Sequence, residues 1–477
     1  MDTFGIVGGG IAGLAVARVL GRNGYQVTVF EPDMPATGFS ADDAFTDWVR
    51  PHIAQLRQPH SARSIIRKLL VERDPELYRA VLDGGMIEWP FRLPDFGDEE
   101  YDPELVGFLG RRPTFEKALR AVVERTPGVT FVTERVTGLN ADPANPRRLA
   151  GVTTKSGAVH DFDAVVECTG RRSKLMDWLQ GLGLRRPTEI EQDCGIIYYS
   201  RYFRFREGVR IDHGNYPSGP SANLSTLQYT MNRTDNGTFS LMLGVAPWEP
   251  LFNHLKDERV FMDVARALPG TMSWLAPELS EPIWRVEWFT GLVNRHRTFT
   301  QDGRPILENL FILGDSRFHT NPIFGWGMGL ALRQSAMLVD ALSAGGGIAA
   351  AVARFEAEAD IYGRKHFEAS AGEDRARMKY WKGELAEPQT PGTPEYFVTQ
   401  VQPAAFRDPG IYRAVTRRAH LLDDPLEILG NGEVNRRAAA IPRVDHTKMS
   451  RVEIMGIVEA SARRHLDETR LKLAVRA

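Results

Sequence analysis

The spacing of apolar positions near the N-terminus predicts a strand, a helix and a second strand. The apolar run "TFGIV" leads into glycines, after which Leu14, Val16, Ala17 and Leu20 recur at helical spacing within residues 11–22. The sequence "RNG" ends the helical pattern, and "QVTVF" resumes an extended one. Such an order is typical of a βαβ unit. Its two parallel strands must be joined by a right-handed crossover.

The pattern divides the rest of the chain into regions of different character. Short alternating runs such as "GIIYYSRYFRFR" and "TFSLMLGVAP" indicate an antiparallel sheet. Parallel-strand character returns in "NLFILGD", and a helix is predicted from Met328 to Ala341. We therefore predict an α/β fold with a discontinuous Rossmann-type domain (residues 1–184 and 295–345), an inserted antiparallel sheet domain (185–294) and a mainly helical C-terminal region (346–477).

Composition narrows the class of protein. Of 477 residues, 43% are hydrophobic and 25% charged, and the net charge is −2. This balance indicates neither nucleic acid nor an anionic membrane as a partner. The two cysteines, Cys168 and Cys194, are too few for a disulfide framework or a Cys-rich zinc site. The histidines show no metal-ligand spacing, so we expect no metal.

Targeting signals are not evident. A strand-like run begins at Phe4, and no apolar stretch approaches the ~20 residues that span a bilayer. With so few cysteines, a reducing compartment is favoured. We expect a cytoplasmic protein without a membrane span.

A glycine fingerprint lies between the first strand and the first helix. Its spacing is Gly-x-Gly-x-x-Gly, and an acidic residue ends the next strand. The first glycine suits the turn, the second lets backbone approach a pyrophosphate, and the third allows close helix–strand packing. The helix N-terminus then offers free N–H groups to phosphates. A glycine-rich structural turn is the alternative. The predicted dinucleotide-binding residues are Gly8, Gly10, Ile11, Ala12, Gly13 and Glu31.

Three further segments carry a family resemblance. These are "RRPTFEKAL", "DAVVECTGRRSKL" and "GDSRFHTNPIFGWGMGLAL". Together with the fingerprint, the chain resembles FAD-dependent monooxygenases of the aromatic-hydroxylase type, nearest to the hydroxylases and epoxidases of specialised metabolism. The resemblance implies a glutathione-reductase-like FAD domain and non-covalent FAD. It adds the following cofactor-binding residues: Arg112, Gly170, Gly314, Asp315, Gly325, Gly327 and Met328.

The resemblance also implies a reaction. In such enzymes reduced flavin and O2 form a C4a-(hydro)peroxide, which hydroxylates or epoxidises the substrate. Asp315 is expected to bind the ribityl chain, and Gly325, Gly327 and Gly329 to lie against the flavin ring. Pro322 is expected to border the site of oxygen activation. Pro322 and Arg50 are the candidate catalytic residues. Arg50 falls where a flavin-contacting arginine is common, with a surface ion pair as the alternative.

The chain departs from the family pattern in places that concern the reductant. Thr169 occupies the position of an aspartate, and His319 lies one residue beyond the family's histidine. No second glycine fingerprint is evident. We therefore expect either NAD(P)H as a transient co-substrate or reduced flavin from a partner reductase.

The substrate is predicted to be a small apolar molecule. Aromatic residues crowd the predicted sheet and the glycine loop, and four are candidates for the substrate pocket: Tyr199, Tyr229, Phe324 and Trp326. Core packing is the alternative for most of them. Two other functions stay open: a flavin oxidase, dehydrogenase or reductase without oxygen insertion, and a flavoprotein that serves as a binding module.

Overall fold

The computed structural model describes residues 2–35, 38–53, 55–91, 102–209, 218–385, 389–442 and 449–476. Strands and helices are interspersed along the first region of the chain. Its strands are β1 (Thr3–Val7), β2 (Gln26–Phe30), β3 (Ile87–Pro90), β4 (Val106–Leu109), β5 (Val129–Val132), β6 (Val136–Asp142), β7 (Asn145–Thr154), β8 (Val159–Asp161) and β9 (Ala164–Glu167). Its helices are α1 (Ile11–Arg22), α2 (Ala41–Thr46), α3 (Ser64–Arg73), α4 (Pro75–Asp83), α5 (Arg112–Val123) and α6 (Leu175–Gly181).

The second half of the chain begins with strands and ends with helices. Its strands are β10 (Thr188–Asp193), β11 (Ile197–Phe205), β12 (Ser218–Asn223), β13 (Leu227–Arg233), β14 (Thr238–Val245), β15 (Ser280–Pro282), β16 (Glu287–Phe289), β17 (Val293–Thr298), β18 (Thr300–Gln301), β19 (Arg304–Pro305), β20 (Leu310–Ile312) and β21 (Phe318–His319). Its helices are α7 (Glu258–Ala267), α8 (Met272–Leu275), α9 (Gly327–Ser343), α10 (Gly347–Lys382), α11 (Pro394–Tyr396), α12 (Gln402–Ala404), α13 (Pro409–Ala419), α14 (Glu427–Gly430), α15 (Gly432–Ala440) and α16 (Arg451–Arg476).

A parallel sheet of five strands, in the order β20-β9-β1-β2-β5, forms the first core. All of its strand pairs are parallel. Apolar residues such as Phe4, Val16 and Val166 are completely buried where α1 and α9 pack together against it. Burial on both faces explains why these strands are continuous apolar runs rather than alternating ones. The predicted Rossmann-type α/β fold is confirmed.

A second, antiparallel sheet follows in the order β12-β13-β14-β11-β15, and β16 also pairs with β11. One face of this sheet packs against α7 and α16, where Val260, Phe261, Ile454 and Val458 are buried. The other face turns toward the parallel-sheet region. The predicted antiparallel sheet is confirmed.

A short third sheet links the two regions. Strand β17 pairs with β10 on one side and with β21 on the other. The predicted boundary between residues 294 and 295 therefore falls inside β17. The domain limits stay a prediction.

The C-terminal region is helical, as predicted, and packs against both sheets. Helix α10 contacts α9 beside the parallel sheet, whereas α16 contacts α7 on the antiparallel one. Helices α13 and α15 form a separate small core with the π-helical turn Phe397–Val401. Among the described residues, none of the helices has both the length and the apolarity needed to cross a bilayer.

Candidate active site

A cavity of about 510 Å³ lies between the parallel sheet and the antiparallel sheet. At one end it is lined by Gly8, Gly10 and Glu31, and at the other by Pro322 and Gly327. Ligand sites in proteins typically enclose about 300–1,000 Å³. The cavity thus brings together the N-terminal fingerprint and the late glycine motif, which are far apart in sequence.

The three fingerprint glycines have different surroundings. Gly8 has a φ of +103°, and a Cβ added to it would lie 2.8 Å from the carbonyl oxygen of Cys168. A Cβ on Gly13 would overlap the carbonyl oxygen of Gly8. A Cβ on Gly10 would meet no protein atom within 4 Å. The turn therefore needs glycine at Gly8, and the packing of α1 needs it at Gly13. Gly10 instead leaves space next to the first turn of α1, where Ile11 and Ala12 line the cavity.

Glu31 lies beside this turn in a set of buried charges. Its carboxylate accepts hydrogen bonds from the amides of Gly9 (3.0 Å) and Asp33 (2.9 Å) and from the Arg50 guanidinium (2.6 Å). Arg50 also pairs with Glu116, which accepts a further bond from Arg112 at 3.2 Å. Burial by itself would raise the pKa of the Glu116 carboxyl, but Arg50 and Arg112 outweigh it and lower the pKa.

For Arg50, the alternative of a surface ion pair is wrong. The residue is 5% exposed, and its guanidinium is held by Glu31 and Glu116. Because Glu31 marks the fingerprint end of the cavity, Arg50 is placed there rather than beside Pro322. This placement favours a cofactor-binding role over a catalytic one.

Asp315 lies in the wall between the two ends of the cavity. Within the described residues its carboxylate accepts no hydrogen bond from the protein, although it lines the cavity. Burial raises the pKa of this carboxyl, and Arg171 and Arg112 offset part of the rise. The neighbouring Ser316 hydroxyl accepts a bond from the Gly170 amide at 2.7 Å, and the Gly314 amide donates to Gln334 at 3.1 Å. An unpartnered carboxylate facing a cavity suits a ligand that brings hydroxyl groups.

The loop before α9 is fixed from behind by a buried polar network. The Asn321 side chain accepts a hydrogen bond from the Tyr198 hydroxyl and donates to Asp374 at 2.7 Å, and Arg377 donates to Asp374 at 2.9 Å. The Asn321 amide donates to Asn294 at 2.8 Å. With these partners satisfied, the loop has a defined conformation. It presents Pro322, Gly325, Gly327 and Met328 to the cavity.

Two residues of this loop are not in the cavity, contrary to prediction. Trp326 is 1% exposed, and its indole N–H donates to the carbonyl of Ala419 at 3.0 Å. Phe324 stacks on it with ring centroids 4.8 Å apart. Both rings instead belong to a core cluster with Leu330 and Leu421.

Tyr199 and Tyr229 do not line the cavity either, contrary to prediction. Both belong to the core between the antiparallel sheet and α7, and the Tyr229 hydroxyl donates to the carbonyl of Pro269 at 2.8 Å. Side chains alternate along a strand, so the opposite face of β11 and β14 supplies the cavity wall. That wall consists of Tyr198 and Met242, with Phe289 from β16. Alternation identified two sets of residues, but nothing in the sequence indicated which set faces the cavity.

His319 also lines the cavity. Its Nδ1 lies 3.3 Å from the carbonyl oxygen of Asp315, and Nε2 has no hydrogen-bond partner among the described residues. Burial lowers the pKa of His319 well below its ordinary value, so the ring is neutral. No group of His, Cys, Asp and Glu residues suited to a metal ion is found in the described part of the chain.

The fold and the shape of the cavity suit a protein that binds FAD. A long cavity runs from a dinucleotide fingerprint, past a free aspartate, to a glycine loop at a helix N-terminus, which fits an extended cofactor such as FAD. Residues 4–105 match the family described as FAD dependent oxidoreductase. The chain is an FAD-dependent oxidoreductase, as predicted.

Comparisons with individual proteins agree with this assignment. Protein Rv3254 of Mycobacterium tuberculosis is 26% identical over 367 residues, which are 71% of this chain and 72% of that protein. Squalene epoxidase ERG1 of Candida albicans is 23% identical over 385 residues, 71% of each chain. The crystal structure of PqsL, a probable FAD-dependent monooxygenase from Pseudomonas aeruginosa, superposes with a TM-score of 0.59 at 16% identity, covering 80% of this chain and 99% of that one. The chain therefore shares its fold with FAD-dependent monooxygenases, and the predicted resemblance is confirmed.

Proposed function

We propose that this chain is an FAD-dependent monooxygenase that uses NAD(P)H and O2 to hydroxylate or epoxidise a small, largely apolar molecule. The observation that carries the proposal is the continuity of the cavity. It joins Glu31 and Gly10 at one end to the wall of Tyr198, Met242 and Phe289 at the other. A site with cofactor chemistry at one end and an apolar chamber at the other suits oxidation of an apolar compound. Similarity to a protein named squalene epoxidase supports the same reaction class.

FAD, when bound, supplies the electron transfer and the activation of O2. Glu31 would hold the adenosine ribose, and Asp315 the hydroxyls of the ribityl chain. Helix α9 begins at Gly327 without a side-chain cap. Its free N–H groups and dipole would stabilise the negative charge that reduction places on the cofactor.

The remaining residues of the chamber exclude water. Tyr198 and Met242 are 2% and 8% exposed, and Tyr198 is fixed by its hydrogen bond to Asn321. A dry chamber favours oxygen transfer to substrate over loss to solvent. Pro322 lines this chamber and needs no side-chain chemistry for that role.

The proposal includes two alternative sources of the electrons that reduce the flavin. NAD(P)H would bind transiently, or a partner reductase would deliver reduced flavin. We also propose that the protein is cytoplasmic and acts in specialised metabolism.

Labelled oxygen tests the proposal directly. The holoprotein is incubated with NADH or NADPH under ¹⁸O2, with cinnamate and 2-naphthol as small probes of epoxidation and hydroxylation. We expect one labelled oxygen atom per product molecule by mass spectrometry. Oxidised product without the label would assign the chain to the oxidases or dehydrogenases. If neither probe nor cofactor is turned over, the binding-module alternative is favoured.

A further inference from the structure

Arg171 is a partly buried cation of the cavity wall. It follows Gly170 just beyond β9, and its guanidinium lies over the ring of Phe289, 5.0 Å from the centroid. Within the described residues it makes no hydrogen bond and no ion pair with a carboxylate. Asp315 acts on it electrostatically without accepting a hydrogen bond.

Most other cations near the cavity are paired, and Arg135 and Arg172, which line it without an ion pair among the described residues, are exposed. Arg50 is paired with Glu31 and Glu116, and Arg112 with Glu116. Arg295 pairs with Glu191 and lies 3.5 Å from Glu189. His319 is neutral, as described above. Arg171 is therefore the partly buried cation left for a ligand in this part of the wall.

The surroundings of Arg171 are mainly apolar. Phe289 packs with Tyr198 and Met242 in one core cluster, and these three side chains line the cavity next to it. Burial lowers the pKa of Arg171, but a guanidinium stays protonated at neutral pH. A partly buried charge without a partner is costly, and an anion that reaches it with its hydrogen-bonding oxygens would offset that cost.

We propose that Arg171 binds a carboxylate of the substrate, while the hydrocarbon part of the substrate lies on Phe289, Met242 and Tyr198. The substrate would then be an apolar carboxylic acid rather than a neutral hydrocarbon. This inference rests on the proposed function, because it concerns the substrate of the same cavity. Anionic oxygen also occurs in the FAD pyrophosphate, for which the glycine turn and the first turn of α1 provide a separate place.

Matched ligands test the carboxylate site. Naphthalene-2-carboxylate and benzoate are titrated into the FAD-loaded protein alongside naphthalene-2-carboxamide and benzamide, and binding is followed by calorimetry and by the flavin absorbance. Hydrogen bonds to charged groups contribute about 1.5–3 kcal/mol. We therefore expect the wild type to bind at least one carboxylate roughly tenfold or more tightly than its amide.

Variants of Arg171 and of a control arginine distinguish direct binding by Arg171 from a general effect of the protein's charge. Arg171→Met should abolish the preference for the carboxylate, and Arg171→Lys should keep part of it, since lysine retains the charge but not the planar fork. Arg186 is exposed and outside the cavity. Arg186→Met carries the same charge change and should bind both ligands as the wild type does.

Three results would overturn the inference. The first is that the wild type binds acid and amide equally, or binds neither acid. Another is a preference that survives in Arg171→Met. The third is a loss of FAD affinity in Arg171→Met with the preference intact, which would assign the side chain to the cofactor. Because equilibrium binding is measured, the result does not depend on oxygen transfer, and failure of the labelled-oxygen experiment is distinguishable from failure here.

Discussion

Glu31 accepts three hydrogen bonds, from the amides of Gly9 and Asp33 and from the guanidinium of Arg50. A carboxylate has about four acceptor positions. One position is therefore left for a hydroxyl group, and the carboxylate is held in place by the other three. We infer that Glu31 is oriented for ribose before the cofactor arrives.

Replacement of Glu31 by glutamine should weaken FAD binding by about 1.5–3 kcal/mol, because a charged hydrogen-bond acceptor is lost. Titration of the apoprotein with FAD measures the change. FMN has no adenosine ribose, so its affinity should be the same in wild type and Glu31→Gln. Glu72→Gln, an exposed position on α3, serves as the matched control. An equal loss of FAD and FMN affinity would show that Glu31 acts through the fold instead.

The need for glycine in the N-terminal motif could be predicted from sequence because the spacing carries the backbone requirement. Gly8 and Gly13 occupy positions where a Cβ would strike main-chain atoms. Arg171 carried no such signal, since an arginine is suited to many environments. Among the described residues no carboxylate forms a hydrogen bond or an ion pair with Arg171, and only the three-dimensional arrangement reveals this.

At the scale of elements, helix α9 contains two glycines with opposite surroundings. A Cβ on Gly327 would meet no protein atom within 4 Å, whereas one on Gly329 would lie 2.8 Å from Ile65 and from Leu421. Gly329 was expected to contact the flavin ring with Gly325 and Gly327. It instead allows α9 to pack against α3 and the segment after α13. Helical spacing explains the difference, because positions two residues apart point in nearly opposite directions.

Strand β11 shows what alternation can and cannot predict. The pattern correctly indicates a strand with two distinct faces. Tyr198, Ser200 and Tyr202 face the cavity side, where the Ser200 hydroxyl donates to Gln58 at 2.8 Å. Tyr199 and Phe203 face α7. Both faces are buried, so the sequence lacks the polar face that would have shown which one was covered by α7 and α16.

At the scale of the whole molecule, buried histidines couple stability to pH. His296 and His366 are 1% and 2% exposed, and burial lowers the pKa of each to about 4. An unfolded histidine has a pKa of about 6.5. The unfolded chain therefore binds more protons between these values, and stability that is present above pH ~6.5 is lost as the pH falls toward ~4.

Urea unfolding at a series of pH values from 7 to 5 measures this effect. Each buried histidine should contribute up to about 1.4 kcal/mol of destabilisation per pH unit. His366→Phe should flatten the dependence by about one proton, since the ring then has no proton to gain. His254 is exposed, and His254→Phe should leave the slope as it is. The same slope in both variants would contradict this account.

The C-terminal region belongs to the same structure as the site. The Trp326 indole donates to Ala419, and the Ser64 hydroxyl at the start of α3 contacts His420 at 2.6 Å. These contacts join residues separated by more than 90 positions along the chain. A sequence pattern predicts helices there, but pairings over such separations depend on the packing of the whole chain.

The reduction potential of bound FAD in Gly327→Ala tests the central claim most directly, namely that the N-terminus of α9 faces the flavin ring. Because a Cβ at Gly327 meets no protein atom within 4 Å, the fold should be unchanged while the ring is displaced. We expect a lower potential, by about 30 mV for each 1.4 kcal/mol of lost stabilisation, and loss of FAD from Gly327→Leu. Ser343→Leu, at the exposed end of the same helix, should behave as wild type. An unchanged potential and unchanged FAD affinity in both Gly327 variants would contradict the account.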